Sequence, residues 1–375
     1  IYNLIEPAVS DAVLSPKLRH IAATGATLVV TGNPGYWRQM KDVAPPKGRY
    51  LQFYAADLAR GPNGEWRVLA DRTRIPTGAG YALENRLVLS RAFPNLYNAM
   101  NVQRLARFFD DLRKGLAATA GRADPRICLL SPGPYSETYF EQAHLARYLG
   151  LLLVEGEDLV VRQGKVYVRT IEGLKRADVI LRRVDADFID PLELNSASHL
   201  GTPGMMDAVR SGGVAVVNMP GSGVLESKAL LGFMPSLCRR LLGEDLLLPA
   251  STSWWCGEAS VWRAQRDALA NFVVAPTFPD SGFGPRVAAL MGDAERHALR
   301  GRIDADPAAY TLQVRVRPSE TPVWVDGQLQ PRAAVMRVFA LADGQGGWRV
   351  LPGALTRVAG NTGDRTAVYR LTVEK

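Results

Sequence analysis

Between residues 71 and 86 the chain reads Asp-Arg-Thr-Arg-Ile-Pro-Thr-Gly-Ala-Gly-Tyr-Ala-Leu-Glu-Asn-Arg, bringing carboxylates, guanidiniums, an amide and two glycines into one short run. Thr77-Gly78-Ala79-Gly80 lets backbone N–H groups approach a ligand, because only small side chains stand in the way. Residues 81–89 predict a helix whose N-terminus points back at that loop, and such an end attracts phosphate or carboxylate. A second glycine loop, Gly221-Ser-Gly223, carries Glu226 and Lys228 and precedes an apolar helix predicted over 229–242. Neither loop matches a P-loop or a complete dinucleotide fingerprint, and a Gly-Ser-Gly turn also serves as a plain helix entry.

The acids raise a second kind of chemistry. A hairpin with arms at 50–57 and 66–71 around Gly61-Pro62-Asn63-Gly64 is expected to bring Asp57 beside Asp71, within reach of one cation. With Glu84 and Asn85 they make an oxygen-only set of the type magnesium prefers. The competing reading has Asp57 and Asp71 solvating the hairpin and Glu84 pairing with Arg86 or Arg91. The four histidines, His20, His144, His199 and His297, stand in no metal-ligand spacing, and Ser131 and Ser136 lack a nucleophile-elbow context. Trp254-Trp255 suits either a nucleoside platform or a core anchor.

Size and composition limit the field. At 375 residues, with 47% hydrophobic and 22% charged residues, the chain predicts two or three ordinary globular subdomains. No apolar run approaches the roughly 20 residues that span a bilayer, so no membrane association is expected. The net charge of +8 comes from scattered arginines and suits anionic small substrates; no nucleic-acid partner is expected. Cys128, Cys238 and Cys256 are odd in number and without Cys-x-x-Cys spacing, which fits a reducing cytoplasm. The chain opens at Ile1 without a Met or a signal-like segment, and both ends read as cut from a longer protein.

The positioning elements fall into three regions. The first, 1–115, holds a strand at 27–31, a Gly-Asn-Pro-Gly turn at 32–35 and the hairpin. The second, 116–218, opens with a buried-strand pattern at 126–131, a polar loop and an amphipathic helix at 139–148. A further strand at 151–155 completes a βαβ unit, whose ligand site is expected in the loop after the strand's carboxyl end. A hairpin across Gln163-Gly164 and a strand at 179–183 follow, the latter running into a second polar loop at 184–190. The third region, 219–375, is strand-rich, with strands expected at 271–274, 310–316, 334–340, 348–351 and 366–373.

The runs Ala56–Thr73, Pro76-x-Gly-Ala-Gly-Tyr-Ala-Leu-Glu-Asn-Arg86, Ser131-Pro-Gly-Pro-Tyr-x-Glu-Thr-Tyr-Phe-Glu141 and Asp190-Pro-Leu-Glu-Leu194 resemble the circularly permuted type 2 ATP-grasp proteins. So do Gly221-Ser-Gly-Val-Leu-Glu-Ser227, Trp254-Trp-Cys-Gly257 and Leu355-Thr-Arg-Val-Ala359, and the matches run in order from about residue 50 to 359. That family is similar to glutathionylspermidine synthase. The resemblance implies an α+β / α/β chain in which two α+β lobes enclose a nucleotide cleft, with a βαβ pre-ATP-grasp-like subdomain alongside. It further implies ATP, magnesium, and activation of a small-molecule carboxylate as an acyl phosphate that an amine attacks, with a peptide or amino acid among the candidate substrates. Asp57, Asp71, Glu84 and Asn85 become candidate metal ligands, and Arg72, Arg86 and Arg337 candidate catalytic clamps. Gly78, Gly80, Lys228 and Gln313 would hold the nucleotide, while Tyr135, Glu137, Thr138, Arg183 and Asp185 would line the substrate site.

Three positions depart from that pattern. Ala275-Pro276 stands where relatives tend to carry Lys or Arg before Pro, and a lost charge-assisted phosphate contact is worth about 1.5–3 kcal/mol. Val314 follows Gln313 where an acid is common, and Pro352-Gly353-Ala354 replaces Pro-Gly-Gly. Ala275 and Val314 support a runner-up: a degenerate ATP-grasp domain that binds nucleotide weakly or not at all and serves as a scaffold for fused or neighbouring domains.

Overall fold

In the computed structural model the described residues are 43, 45, 49–278, 283–342 and 347–360. The strands expected at 27–31 and 366–373, the turn at 32–35 and His20 lie outside them. Among the described residues no helix is long and apolar enough to cross a membrane.

The expected hairpin forms as strands Phe53–Arg60 and Trp66–Arg72, and burial is continuous from Ala55 to Ala59 and from Val68 to Arg72 because both faces of the sheet are covered. Its register decides the chemistry. Asp57 faces Ala70, whereas Asp71 faces Ala56. Directly paired strand residues share a face and neighbours alternate, so the two acids project from opposite sides of the sheet. The hairpin's other neighbour is the long strand Gln328–Ala342, which sets Arg337 directly opposite Asp57. Strands Glu320–Val325, Trp348–Val350 and Leu355–Val358 pair with that same long strand, so sequence-distant ends of the chain share one antiparallel sheet. Asp326 and Gly327, both at positive φ, make the two-residue turn between the first of these and the long strand.

One face of this sheet packs Phe53, Ala55, Phe339 and Leu341 against the helices Ala79–Ala92, Ala106–Thr119 and Tyr139–Leu149. The opposite face sets Tyr54, Ala56, Leu58 and Val338 with Leu231 of the helix Lys228–Leu242. The βαβ unit is present as expected: Ile127–Leu130 lies parallel to Leu152–Val154 and to Val179–Arg182, which in turn pairs with Ala215–Val217. Gln163-Gly164 turns the hairpin Leu159–Arg162 to Lys165–Thr170, and Gly173–Ala177 adds a third strand that the sequence pattern did not reveal. A further antiparallel sheet joins Ser253–Trp255, Tyr310–Val314, Phe272–Pro276 and Arg286–Val287. It meets the first sheet through a cluster that includes Ala59, Leu69, Val273 and Val335.

Candidate functional site

Asp57 has no exposed surface and lies under three guanidiniums. Arg337 donates from Nε to Oδ1 at 2.7 Å and from Nη2 to Oδ2 at 3.0 Å. Arg72, opposite Ala55 on the same face, donates from Nε and Nη2 to Oδ2 at 3.0 and 2.9 Å. Arg357 Nη2 stands 3.6 Å from Oδ1. Burial alone would raise the carboxyl's pKa, but Arg72, Arg337 and Arg357 together outweigh it and hold Asp57 at about 2. Its oxygens are therefore committed to ion pairs, and Asp57 acts as the anchor of an arginine cluster.

The glycine loop has its anion already. Glu141, buried on the helix Tyr139–Leu149, accepts through Oε1 from Gly78 N at 2.7 Å and Gly80 N at 2.9 Å. Gly80 is required for that approach, since a Cβ there would stand 2.6 Å from Glu141 Cγ. Gly78 adopts φ +106° and would set a Cβ 2.7 Å from Leu355 Cδ2. The expected phosphate cradle is thus closed by the protein's own carboxylate, and the donors at this helix N-terminus serve helix-to-helix packing. The loop also holds the cluster in place, because Arg337 Nη1 donates to Thr77 O and Oγ1, each at 3.1 Å.

Glu226, from the second glycine loop, repeats the arrangement. It accepts from Thr73 N and Arg74 N at 2.6 and 2.7 Å, and from Arg74 Nε at 3.3 Å. Arg74 Nη1 reaches Asp185 Oδ2 at 2.8 Å, and Arg183 Nη1 donates to Pro76 O at 2.7 Å. Three segments far apart in sequence, 72–80, 183–185 and 221–228, therefore converge beyond the carboxyl ends of the parallel strands, where ligand sites of such sheets occur.

The other face of the hairpin sheet carries a different set. Asp71 accepts from the Tyr54 hydroxyl at 2.6 Å. Lys228 Nζ donates to Leu69 O at 2.7 Å, and its backbone N–H to Thr277 O, bridging the two antiparallel sheets at their seam. Burial first, and then the Arg72 charge, lower the Lys228 ammonium to about 8 against the opposing pull of Asp57, Asp71 and Glu226. Gln313, paired in register with Val273 of the seam cluster, donates to Ser253 Oγ at 3.1 Å. Along this face the long strand leaves Ala334, Met336, Val338 and Ala340 only half-buried.

The predicted metal quartet does not assemble. Asp57 and Asp71 lie on opposite faces, Glu84 Oε2 stands 3.4 Å from His144 Nε2, and Asn85 is exposed. Among the described residues no group of three or more His, Cys, Asp and Glu side chains could hold a metal ion. Magnesium therefore does not fit the four residues as a set; Asp71 remains as a single carboxylate. Arg86 is also displaced from the cluster: its Nη1 donates to Gln103 O at 2.6 Å and its guanidinium lies 6.0 Å from the Tyr97 ring centroid. Of the polar-loop residues, Arg183 and Asp185 reach the converging segments. Tyr135 and Glu137 point to solvent, and Thr138 Oγ1 accepts from Gln142. Burial pushes the Cys128 and Cys256 thiols up to about 12, which leaves them inert.

Four participants escaped the sequence reading. In sequence Arg74 and Arg357 are indistinguishable from the other scattered arginines, and nothing local to Glu226 marks its partners. Glu141 did leave a signal: it shares the i, i+4, i+8 stripe with Leu145 and Leu149, so a carboxylate sits on the helix's buried face.

Comparison with known proteins agrees with the motif order. The model of the family described as circularly permuted ATP-grasp type 2 matches residues 23–359. An uncharacterized protein of Mycobacterium tuberculosis is 36% identical over 339 residues, covering 90% of this chain and 61% of that protein. A second from the same organism is 39% identical over 317 residues, 84% of this chain and 35% of its own length. One from Synechocystis is 34% identical over 333 residues, 88% of this chain and 69% of its own. The chain thus spans less than two thirds of the mycobacterial relatives. With the family model covering most of its length, the chain belongs to the circularly permuted ATP-grasp type 2 family.

Proposed function

We propose that this chain is an ATP-dependent carboxylate–amine ligase, acting through an acyl phosphate on small carboxylate and amine substrates, a peptide or amino acid among them. The family implies ATP-dependent ligase activity in general. The observation that carries the finer reading is the convergence at Arg74, between two of the family-like motifs, which meets a third through Glu226 and the polar loop after the parallel strand through Asp185. We place the nucleotide on the Asp71 face of the hairpin sheet, between Tyr54, Val338 and the seam marked by Lys228 and Gln313. The lobes would be residues 1–115 and 219–375, with 116–218 as the substrate subdomain. Acyl-phosphate formation brings two anions together and needs fixed positive charge where they meet, and Lys228 at the seam with Arg74 at the converging segments are the proposed source of it. Arg183 and Asp185, at the mouth of the parallel sheet, are the proposed orienting groups for the acid substrate.

A second reading has an observation of its own. Asp57, Glu141 and Glu226 are consumed by internal contacts, and Ala275 is wholly buried where a cation would serve phosphate. Those facts favour a nucleotide-binding scaffold without turnover. Calorimetric titration of ATP into wild type and Lys228→Met tests the cleft: no heat with wild type defeats both nucleotide readings, and equal affinity defeats the placement. Hydroxylamine trapping with a panel of carboxylates then separates the two, because a ligase yields hydroxamate with ADP and a scaffold yields neither.

A further inference from the structure

We infer that residues 1–16 of this chain dock on the exposed apolar surface where the helix Ala79–Ala92 turns into the short helix Pro94–Ala99. Neither the surface nor the segment takes part in the nucleotide reading, so the two proposals stand or fall separately. The short helix buries none of its residues. Val88, Leu89, Phe93, Leu96 and Met100 keep between 47% and 66% of their surface accessible. Leu89, Phe93, Leu96 and Met100 stand four, three and four residues apart, which is the spacing of one helical face. Hydrogen bonds carry that spacing through the corner: Phe93 N donates to Leu89 O at 2.9 Å, Tyr97 N to Phe93 O at 3.0 Å and Met100 N to Leu96 O at 2.9 Å. Arg86 braces the corner, donating to Gln103 O and lying over the Tyr97 ring. An apolar surface fixed in shape and left uncovered by the described residues marks an interaction site.

Charge selects the occupant. From Asn85 to Phe109 the chain carries Arg86, Arg91, Arg104 and Arg107 and no acid. Arg91, Arg104 and Arg107 are exposed. The acids that flank this run are engaged, Glu84 with His144 and Asp110 with Lys114. A second copy of the same face would set arginine against arginine, which disfavours a symmetric pair. The complement is an apolar segment with acids and no cations. Residues 1–16 have that composition: Leu4, Ile5, Val9, Val13 and Leu14 supply apolar side chains, Glu6 and Asp11 supply charge, and the first basic residue is Lys17. Residues 17–42 and 361–375, by contrast, each carry several Lys or Arg. Reach is no obstacle, because residues 17–42 at about 3.4 Å each can span about 90 Å, against a diameter of roughly 50 Å for a chain of this size.

The test is disulfide trapping in the full chain with Val9→Cys and Leu96→Cys introduced together. The native thiols do not compete, since Cys128, Cys238 and Cys256 are buried. The expected result is an intramolecular bond between the two introduced thiols. It should form about tenfold faster than with Val9→Cys and Ile171→Cys, whose second position is fully exposed in a turn of another sheet. Arg91→Glu with Arg104→Glu should slow the trapping about tenfold. Equal rates at positions 96 and 171, or a rate indifferent to the charge reversal, overturn the inference. A bond joining two chains through position 96 identifies a second copy as the occupant, and sedimentation with phosphatidylserine vesicles that Leu96→Ser abolishes identifies a lipid surface; either result overturns it as well. Hydrogen exchange gives an independent reading without new thiols: amides over 94–102 should exchange more slowly in wild type than in Val9→Asp, and equal exchange overturns the docking.

Discussion

Replacing Asp57 by Asn tests whether this buried acid is an anchor or a ligand. Its pKa falls from 3.8 to about 2 in the folded chain. A depression of nearly two pH units corresponds to roughly 2–3 kcal/mol of stability at neutral pH. Because the folded value is the lower one, that contribution is fully present above about pH 4 and is lost as pH falls toward 2. Substitution costs more than protonation relaxed over the whole ensemble, since Arg72 and Arg337, nearly inaccessible at 6% and 2%, keep their charge without a partner. Breaking one side of a buried pair typically costs about 3–5 kcal/mol. Urea unfolding at neutral pH should show that loss as a lower midpoint, and wild type should lose stability between pH 4 and 2 more steeply than Asp57→Asn. Coincident midpoints at neutral pH, or parallel acid profiles, would refute the anchor role.

Substitutions at three further positions probe the Glu141 contacts and the buried amine. Glu141→Ala should destabilise by about 1–3 kcal/mol in thermal unfolding by leaving the Gly78 and Gly80 amides without an acceptor, while Glu141→Gln, which keeps an acceptor oxygen, should lose less. Gly80→Ala should cost about 1–3 kcal/mol through the clash with Glu141 Cγ, and the penalty should shrink when Glu141→Ala is already present, a coupling that a double-mutant cycle reads directly. Lys228 binds its proton less tightly when folded, so wild-type stability should rise between about pH 8 and 10 as the unfolded chain retains the proton longer; Lys228→Met should flatten that rise in urea unfolding.

Local patterns in the sequence carried much of this architecture. Two arms around the turn Gly61-Pro62-Asn63-Gly64 mark the hairpin, Gln163-Gly164 its smaller counterpart, and strand–loop–helix–strand order the βαβ unit, because each depends on neighbours within a few residues. The pairing of that hairpin with Gln328–Ala342 is a contact across some 280 positions, which no local pattern encodes. The site suffered for the same reason. Sequence places Asp57 and Asp71 on facing strands, but register, shaped by an irregularity between Asp57 and Leu58, sets them on opposite faces. The small residues at 78 and 80 signal a close approach to the backbone amides but not what makes it. The anion is Glu141, and its arrival depends on how two helices pack.

The central claim is that nucleotide lies on the Asp71 face and not at the glycine loop. Photolabelling with 8-azido-ATP followed by peptide mapping decides between them. The account predicts label, competed by unmodified ATP, in the peptides carrying Tyr54, Gln313 and Val338. Competed label confined to the loop at 77–80 and the start of the Ala79–Ala92 helix would contradict it.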